Sequence, residues 1–150
     1  VTERNCFIFD LDGTICNVHH RKQYVATKPR NWDAWNKGLV NDTPHLAVQK
    51  VFQALRNDCE VDLIIVSGRS DDYKEQTVQW LTDNQIFYDE IYMRKYEDHR
   101  DDCIVKGEIA DEIQKTHNII GVFDDRQRVV NMWIQRGIFV FDVAQGLGNF

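Results

Sequence analysis

Cys6-Phe7-Ile8-Phe9-Asp10-Leu11-Asp12-Gly13-Thr14 is an apolar run that ends in two carboxylates and a glycine. Four consecutive apolar residues suit a strand buried on both faces, and Asp and Gly form turns, so the strand runs out at Asp10. Side chains at i and i+2 of an extended backbone project to the same side, which aims Asp10 and Asp12 at one spot beyond the strand. Gly13 permits torsions that other residues avoid, so the amides after it can turn inward. Two acids beside inward-facing amides suit a divalent cation and a phosphate held together. The stretch reads as a phosphoryl-transfer site, the plainer alternative being solvated acids at a strand end.

Four more segments share the short, apolar, β-branched or aromatic character of the first: Val61–Val66, Glu90–Met93, Ile119–Asp124 and Ile138–Phe141. Helical patterns lie between them. One places Pro44 in its first turn behind Asp42-Thr43 as caps, with Val48, Val51, Phe52 and Leu55 as its apolar stripe. A second begins at Ser70-Asp71-Asp72 and turns Tyr73, Thr77, Trp80 and Leu81 inward. A third runs from Asp102 to Lys115 over Val105, Ile109 and Ile113, and the fourth, Arg126–Arg136, buries Val129, Val130 and Trp133 and stops at Gly137.

Strands alternating with helices predict an α/β fold, a Rossmann-like parallel sheet of about five strands with helices on both faces. Ligands in such sheets bind beyond the carboxyl ends of the strands. Three of those ends carry polar clusters: Asp10 to Thr14, Ser67-Gly68-Arg69-Ser70 and Asp124-Asp125-Arg126. Motifs distant in sequence therefore converge on one place.

Composition sets the outer limits. At 150 residues, 43% apolar and 28% charged, the chain reads as a single domain spanning 1–150. No run is long enough to cross a membrane and the first residues lack the apolar core of a signal peptide, which points to the cytoplasm. Cys6, Cys16, Cys59 and Cys103 form no C-x-x-C pair, which argues for reduced thiols and against zinc. The net charge of −6 excludes bulk wrapping of nucleic acid but not the grip of one phosphorylated end. Residues 15–42 are the exception, with five bases (Arg21, Lys22, Lys28, Arg30, Lys37) against Asp33 and Asp42. A basic insertion beside an acidic metal site is what an anionic substrate needs, although chance clustering on a loop gives the same count.

The series D-L-D-G-T, a strand ending V-S-G-R, a downstream lysine and a strand ending F-D-D resembles the four motifs of the haloacid dehalogenase-like phosphatases, in order. The resemblance implies Asp10 as nucleophile, Asp12 as acid and base, Ser67 and Lys106 on the phosphate, and Mg²⁺ held by Asp10, Asp12, Asp124 and Asp125. A carboxylate attacking a phosphate dianion needs cations to neutralise the transferred group, which suits this set. If Asp12 is to protonate the leaving oxygen and later activate water, its pKa should be raised.

Nearly the whole chain is similar to the phosphatase domain of bacteriophage polynucleotide kinase–phosphatases. The similarity rests on Arg100 to Lys106, on the run Asp124-Asp125-Arg126-Gln127-Arg128-Val129-Val130-Asn131-Met132-Trp133, and on the tail Val143 to Phe150. It implies removal of 3′-phosphates from DNA or RNA ends, with Thr14, Gly68, Arg69, Arg21, Arg94 and Asp102 also around the phosphate. No G-x-x-x-x-G-K-[ST] loop is present, so the chain should not phosphorylate 5′ ends by itself; a separate kinase or ligase working beside it and a larger protein from which this domain is cut both stay open. A small-molecule nucleotidase is the rival reading. Residues 22–41 match poorly; there Tyr24, Trp32 and Trp35 either stack a terminal base or pack under their own loop. His19 and His20 read as loop residues without a role. A short insertion after the first strand, in place of a large cap, leaves the site open to large substrates.

Overall fold

In the computed structural model, which describes residues 3–149, β1 (Arg4–Phe9) lies in the middle of a five-stranded sheet. It leads into a short antiparallel ribbon, β2 (Cys16–Asn17) paired with β3 (Thr43–Pro44), that closes the insertion at its base. The main sheet is completed by β4 (Val61–Ser70), β5 (Glu90–Arg94), β6 (His117–Asp124) and β7 (Val140–Asp142). Its order is β5-β4-β1-β6-β7, and every adjacent pair is parallel. The expected α/β architecture is therefore present.

Among the described residues five α-helices accompany the strands: α1 (Trp32–Lys37), α2 (Leu46–Leu55), α3 (Lys74–Asp83), α4 (Asp102–Ile113) and α5 (Gln127–Gln135). Alternation along the central strands divides the core in two. Phe9, Leu63 and Ile65 pack with Phe52 of α2, Trp80 and Leu81 of α3 and Trp35 of α1. Cys6, Ile8, Ile64 and Val66 pack on the other side with Ala110 and Ile113 of α4 and Val129 and Trp133 of α5. Each such large side chain contributes about 1.5–3 kcal/mol by leaving water. The insertion has its own anchors, since Ile15, Val18 and Trp35 are part of the first cluster.

Several boundaries differ from the sequence reading. Pro44 belongs to β3, and α2 starts at Leu46 with His45 as its cap, the His45 ring accepting from the Val48 amide at 3.4 Å. Asp42 does not cap α2; its side chain is drawn inward to pair with arginines. Val51, expected in the apolar stripe, is exposed. β4 extends to Ser70, and its register against β5 slips between Ser67 and Ser70. That slip carries Gly68 and Arg69 past the sheet toward the end of β1. Among the described residues no helix is long and apolar enough to cross a membrane. All four cysteines are free thiols.

Candidate active site

Asp10 follows β1 directly, and its amide donates to the Phe123 carbonyl of β6 at 3.0 Å, which fixes the end of one strand against the other. Lys106, on the buried face of α4, reaches across with Nζ 2.8 Å from Asp10 Oδ1 and 3.1 Å from Asp124 Oδ2. Thr14 Oγ1 donates to Asp10 Oδ2 at 3.2 Å. The Gly13 backbone, at φ +83°, lies so close to the Asp125 carboxylate that any Cβ there would overlap it. Glycine is therefore required at this position twice over, for its torsion and for the approach.

Asp10, Asp124 and Asp125 offer carboxylate oxygens that all lie within 4.8 Å of one another. Burial first, and then the Asp124 charge, push the Asp10 carboxyl well above the usual carboxylate range, with Lys106 opposing. The same two causes raise Asp125 to about 6. Burial would lower the Lys106 ammonium, but Asp10, Asp124 and Asp102 outweigh it and hold the charge in place. Three buried acids against one ammonium, all hard oxygen donors, fit a divalent cation of the Mg²⁺ kind.

Asp12 occupies a different environment from its neighbour. Its Oδ1 accepts from Arg21 Nη2 at 2.6 Å and from Arg69 Nη2 at 2.7 Å and Nε at 3.0 Å. Burial alone would raise its pKa, but Arg69 and Arg21 prevail and hold it at about 2. The raised value expected from the acid–base role is thus not what the fold supplies, because two guanidinium groups fix the ionised form.

Asp42 is the residue that the sequence did not reveal. Its side chain is wholly buried, accepting from Arg21 Nε at 2.9 Å and Nη2 at 2.5 Å. It also meets His20 Nε2 at 2.6 Å and Arg69 Nη2 at 3.4 Å. His20, read as a loop residue, therefore belongs to this cluster. Asp42 also lies with Asp12 and Cys16 in a second group of potential ligand atoms, but its carboxylate and that of Asp12 are spent on arginines. Asp42 carried no motif; its only signal was an acid inside a basic segment.

The remaining predicted residues gather at the same strand ends. Ser67 Oγ accepts from the Arg69 amide at 3.1 Å, and a Cβ on Gly68 would overlap the Asp102 carboxylate. Asp102 lies 3.8 Å from Lys106 Nζ, one helical turn away as expected. Arg94 braces the loop behind β5: it donates to the carbonyls of Gly68 at 2.8 Å, Asp98 at 3.1 Å and Arg100 at 2.6 Å, and to Asp102 at 3.2 Å. Trp133, read as core alone, also donates from Nε1 to Asp124 at 3.4 Å.

A family model described as the polynucleotide kinase PNKP phosphatase domain matches residues 4–150. The chain belongs to this family of haloacid dehalogenase-like phosphatase domains. One chain in a solved Pnkp1/Rnl/Hen1 complex resembles it at a TM-score of 0.81 and 30% identity, over 95% of this chain and 46% of that one. A protein of Autographa californica nuclear polyhedrosis virus, described as a bifunctional polynucleotide kinase/RNA ligase, is 28% identical over 147 residues, 94% of this chain and 20% of its own length. The phosphatase domain seen here thus spans a fifth of that relative and less than half of the chain in the complex. The haloacid dehalogenase-like domain of the Legionella pneumophila effector Lem4 shares the fold, with a TM-score of 0.60 and 14% identity over 97% of this chain and 88% of that one.

Proposed function

We propose that this phosphatase domain hydrolyses 3′-phosphates from DNA or RNA ends, with Mg²⁺ and through an aspartyl-phosphate on Asp10. The observation that carries the reading is the junction of Asp10, Lys106 and Asp124 at the ends of adjacent parallel strands, in a chain whose family is named for polynucleotide kinases. Asp10, Asp124 and Asp125, with the Asp12 backbone carbonyl, would hold the metal. Bound there, it would withdraw charge from the phosphoryl oxygens and relieve the crowding of acids.

In this reading Lys106 orients Asp10 and neutralises charge on the transferred group, while Asp102 and Asp124 keep the ammonium charged and in place. Asp10 Oδ attacks phosphorus, the bond to the ribose 3′ oxygen breaks, and the resulting acyl phosphate is hydrolysed in a second step. Ser67 and the amides of the bulge in β4 line the phosphate position. In the first step Asp12 gives a proton to the leaving 3′ oxygen, and an incoming phosphate makes that protonation accessible by competing for the N–H groups of Arg69, which lines the cleft. In the second step the ionised Asp12 accepts a proton from the water that opens the acyl phosphate.

The test is a substrate panel with and without Mg²⁺: a 3′-phosphorylated oligonucleotide against nucleoside 3′- and 5′-monophosphates. The oligonucleotide should be preferred, and Asp10→Asn should abolish release while keeping the fold. Preference for a 5′-mononucleotide would overturn the substrate assignment, and undiminished release by Asp10→Asn would overturn the nucleophile.

A further inference from the structure

The cleft above Asp10, about 720 Å³ in volume, has seven basic and ten acidic side chains in its walls. Of the five bases in the insertion, Arg30 alone lines it among the described residues, while Arg21 is wholly buried and Lys37 pairs with Asp33 at 3.0 Å. A channel that follows several backbone phosphates needs an excess of positive charge, and this cleft has none. Affinity for a polynucleotide must come from another source.

Two exposed aromatic rings line the same cleft. Trp32, 46% exposed, opens α1 and stands edge-on to Trp35, with 6.2 Å between centroids and an interplanar angle of 85°. The structure separates the three aromatics of the insertion: Trp35 also lines the cleft but is 6% exposed and packed in the core, beneath Arg21 at 4.4 Å, and Tyr24 lies outside the cleft walls. The position of α1 is fixed by its Asn31 cap, which accepts from the Ala34 amide at 3.1 Å, and by the Tyr73 hydroxyl donating to Asp33 at 3.2 Å. Tyr96, 64% exposed, sits in the loop after β5. Its amide donates to Asp71 Oδ1 at 3.0 Å, the Asp98 amide closes a turn onto the Lys95 carbonyl at 3.0 Å, and Glu97 holds φ +65°. Both rings are thus carried by anchored backbone on separate elements. Isolated surface aromatics need no explanation, but two placed in the walls of one polar cleft do.

Resting on the 3′-phosphatase reading, we infer that Trp32 and Tyr96 form a stacking platform for the nucleobase at the phosphorylated end, so that the site selects an unpaired terminal nucleotide by its base. Stacking on an aromatic ring is tolerant of sequence and worth roughly tenfold or more in affinity per base. It supplies what the cleft's charge cannot.

Steady-state kinetics on a 3′-phosphorylated hexanucleotide and its counterpart with an abasic terminal residue test this. The native chain should show a KM about tenfold or more higher for the abasic end. Trp32→Ala and Tyr96→Ala should each raise KM for the base-bearing end, about tenfold for Trp32→Ala, with kcat within twofold and the abasic end unaffected. Trp32→Phe should restore most of the difference. Equal effects on the two ends, or none, would overturn the platform. A second readout does not need turnover. Trp80 and Trp133 are buried away from the cleft and Trp35 lines it at 6% exposure, so the part of the fluorescence quenching in Asp10→Asn that disappears when Trp32→Ala is added reports on Trp32. Quenching by the base-bearing hexanucleotide alone supports stacking, and equal or absent quenching refutes it. A native chain that releases phosphate only from mononucleotides would defeat the 3′-end reading, while the quenching would still decide the fate of the platform.

Discussion

Arg69 grips Asp12 with two nitrogens, Nε at 3.0 Å and Nη2 at 2.7 Å from Oδ1, while its Nη1 donates to Thr77 Oγ1 at 3.1 Å. The second acid of D-x-D-G-T therefore differs from the first in kind. Asp10 is among carboxylates and is lifted; Asp12 is among guanidiniums and is held at about 2. Two residues apart, they are set for opposite proton behaviour by what the insertion and β4 bring to them.

That geometry makes Arg69→Lys a severe change despite conserved charge. An ammonium cannot span two Asp12 contacts and Thr77 at once. We expect kcat/KM to fall by about 10- to 100-fold, most of it in kcat, with the secondary structure unchanged by circular dichroism. Activity within twofold of the native chain would show that the two-nitrogen grip on Asp12 is dispensable.

Asp42→Asn tests the residue behind the grip. The substitution leaves the Arg21 guanidinium, which has no exposure, facing a neutral amide in place of its nearest carboxylate. Breaking a buried pair on one side costs about 3–5 kcal/mol. For a domain of this size that is a fall in Tm of roughly 6–20 °C. A thermal melt that shifts by under ~2 °C would mean that Asp12 alone satisfies Arg21.

Asp125 gives the proposed metal site a pH signature. Burial and the Asp124 charge raise its native pKa to about 6, against about 3.9 when unfolded. Between those values the metal-free native protein keeps a proton that the unfolded chain has released, so this residue's contribution to stability falls as pH rises from about 4 to 6. Asp125→Asn carries no such penalty. Its Tm relative to the native chain in EDTA should climb across that interval and level off above it, and Mg²⁺ at pH 7 should raise the native Tm far more than the variant's. A difference that stays flat from pH 4 to 7 would contradict the assignment.

How much of this was legible depended on how local the cause was. The convergence of Asp10, Lys106 and the paired acids Asp124 and Asp125 was readable because each ends a strand or faces along a helix, where a few neighbours in sequence determine direction. Asp42 was not, because its role exists only once Arg21 and Arg69 arrive from elsewhere in the chain. Trp32 and Trp35 look alike in sequence and both line the cleft; their separation into an exposed ring and a core ring depends on which face α1 turns to the core. The Asp12 pKa was misread for a related reason. A role implied by family resemblance was taken to dictate the environment, whereas the two arginines that set it are nine residues and fifty-seven residues distant.

Gly148 extends the site into the tail in a way that no motif signals. It is buried, its carbonyl accepts from the Gln127 amide at the start of α5 at 2.8 Å, and a Cβ on it would overlap the Asp125 backbone carbonyl. The tail thereby presses on the peptide that carries a metal-ligand candidate. Gly148→Ala cannot be absorbed by a rotamer change, since the obstacle is backbone, so the tail or Asp125 must shift. We expect weaker Mg²⁺ activation, with the half-saturating concentration up by about tenfold, and a Tm lower by only a few degrees. Neighbouring Leu147, 81% exposed, is the control, and Leu147→Ala should leave both quantities unchanged. If Gly148→Ala lowers Tm but keeps the native Mg²⁺ dependence, the tail braces α5 alone and the Asp125 backbone does not depend on it.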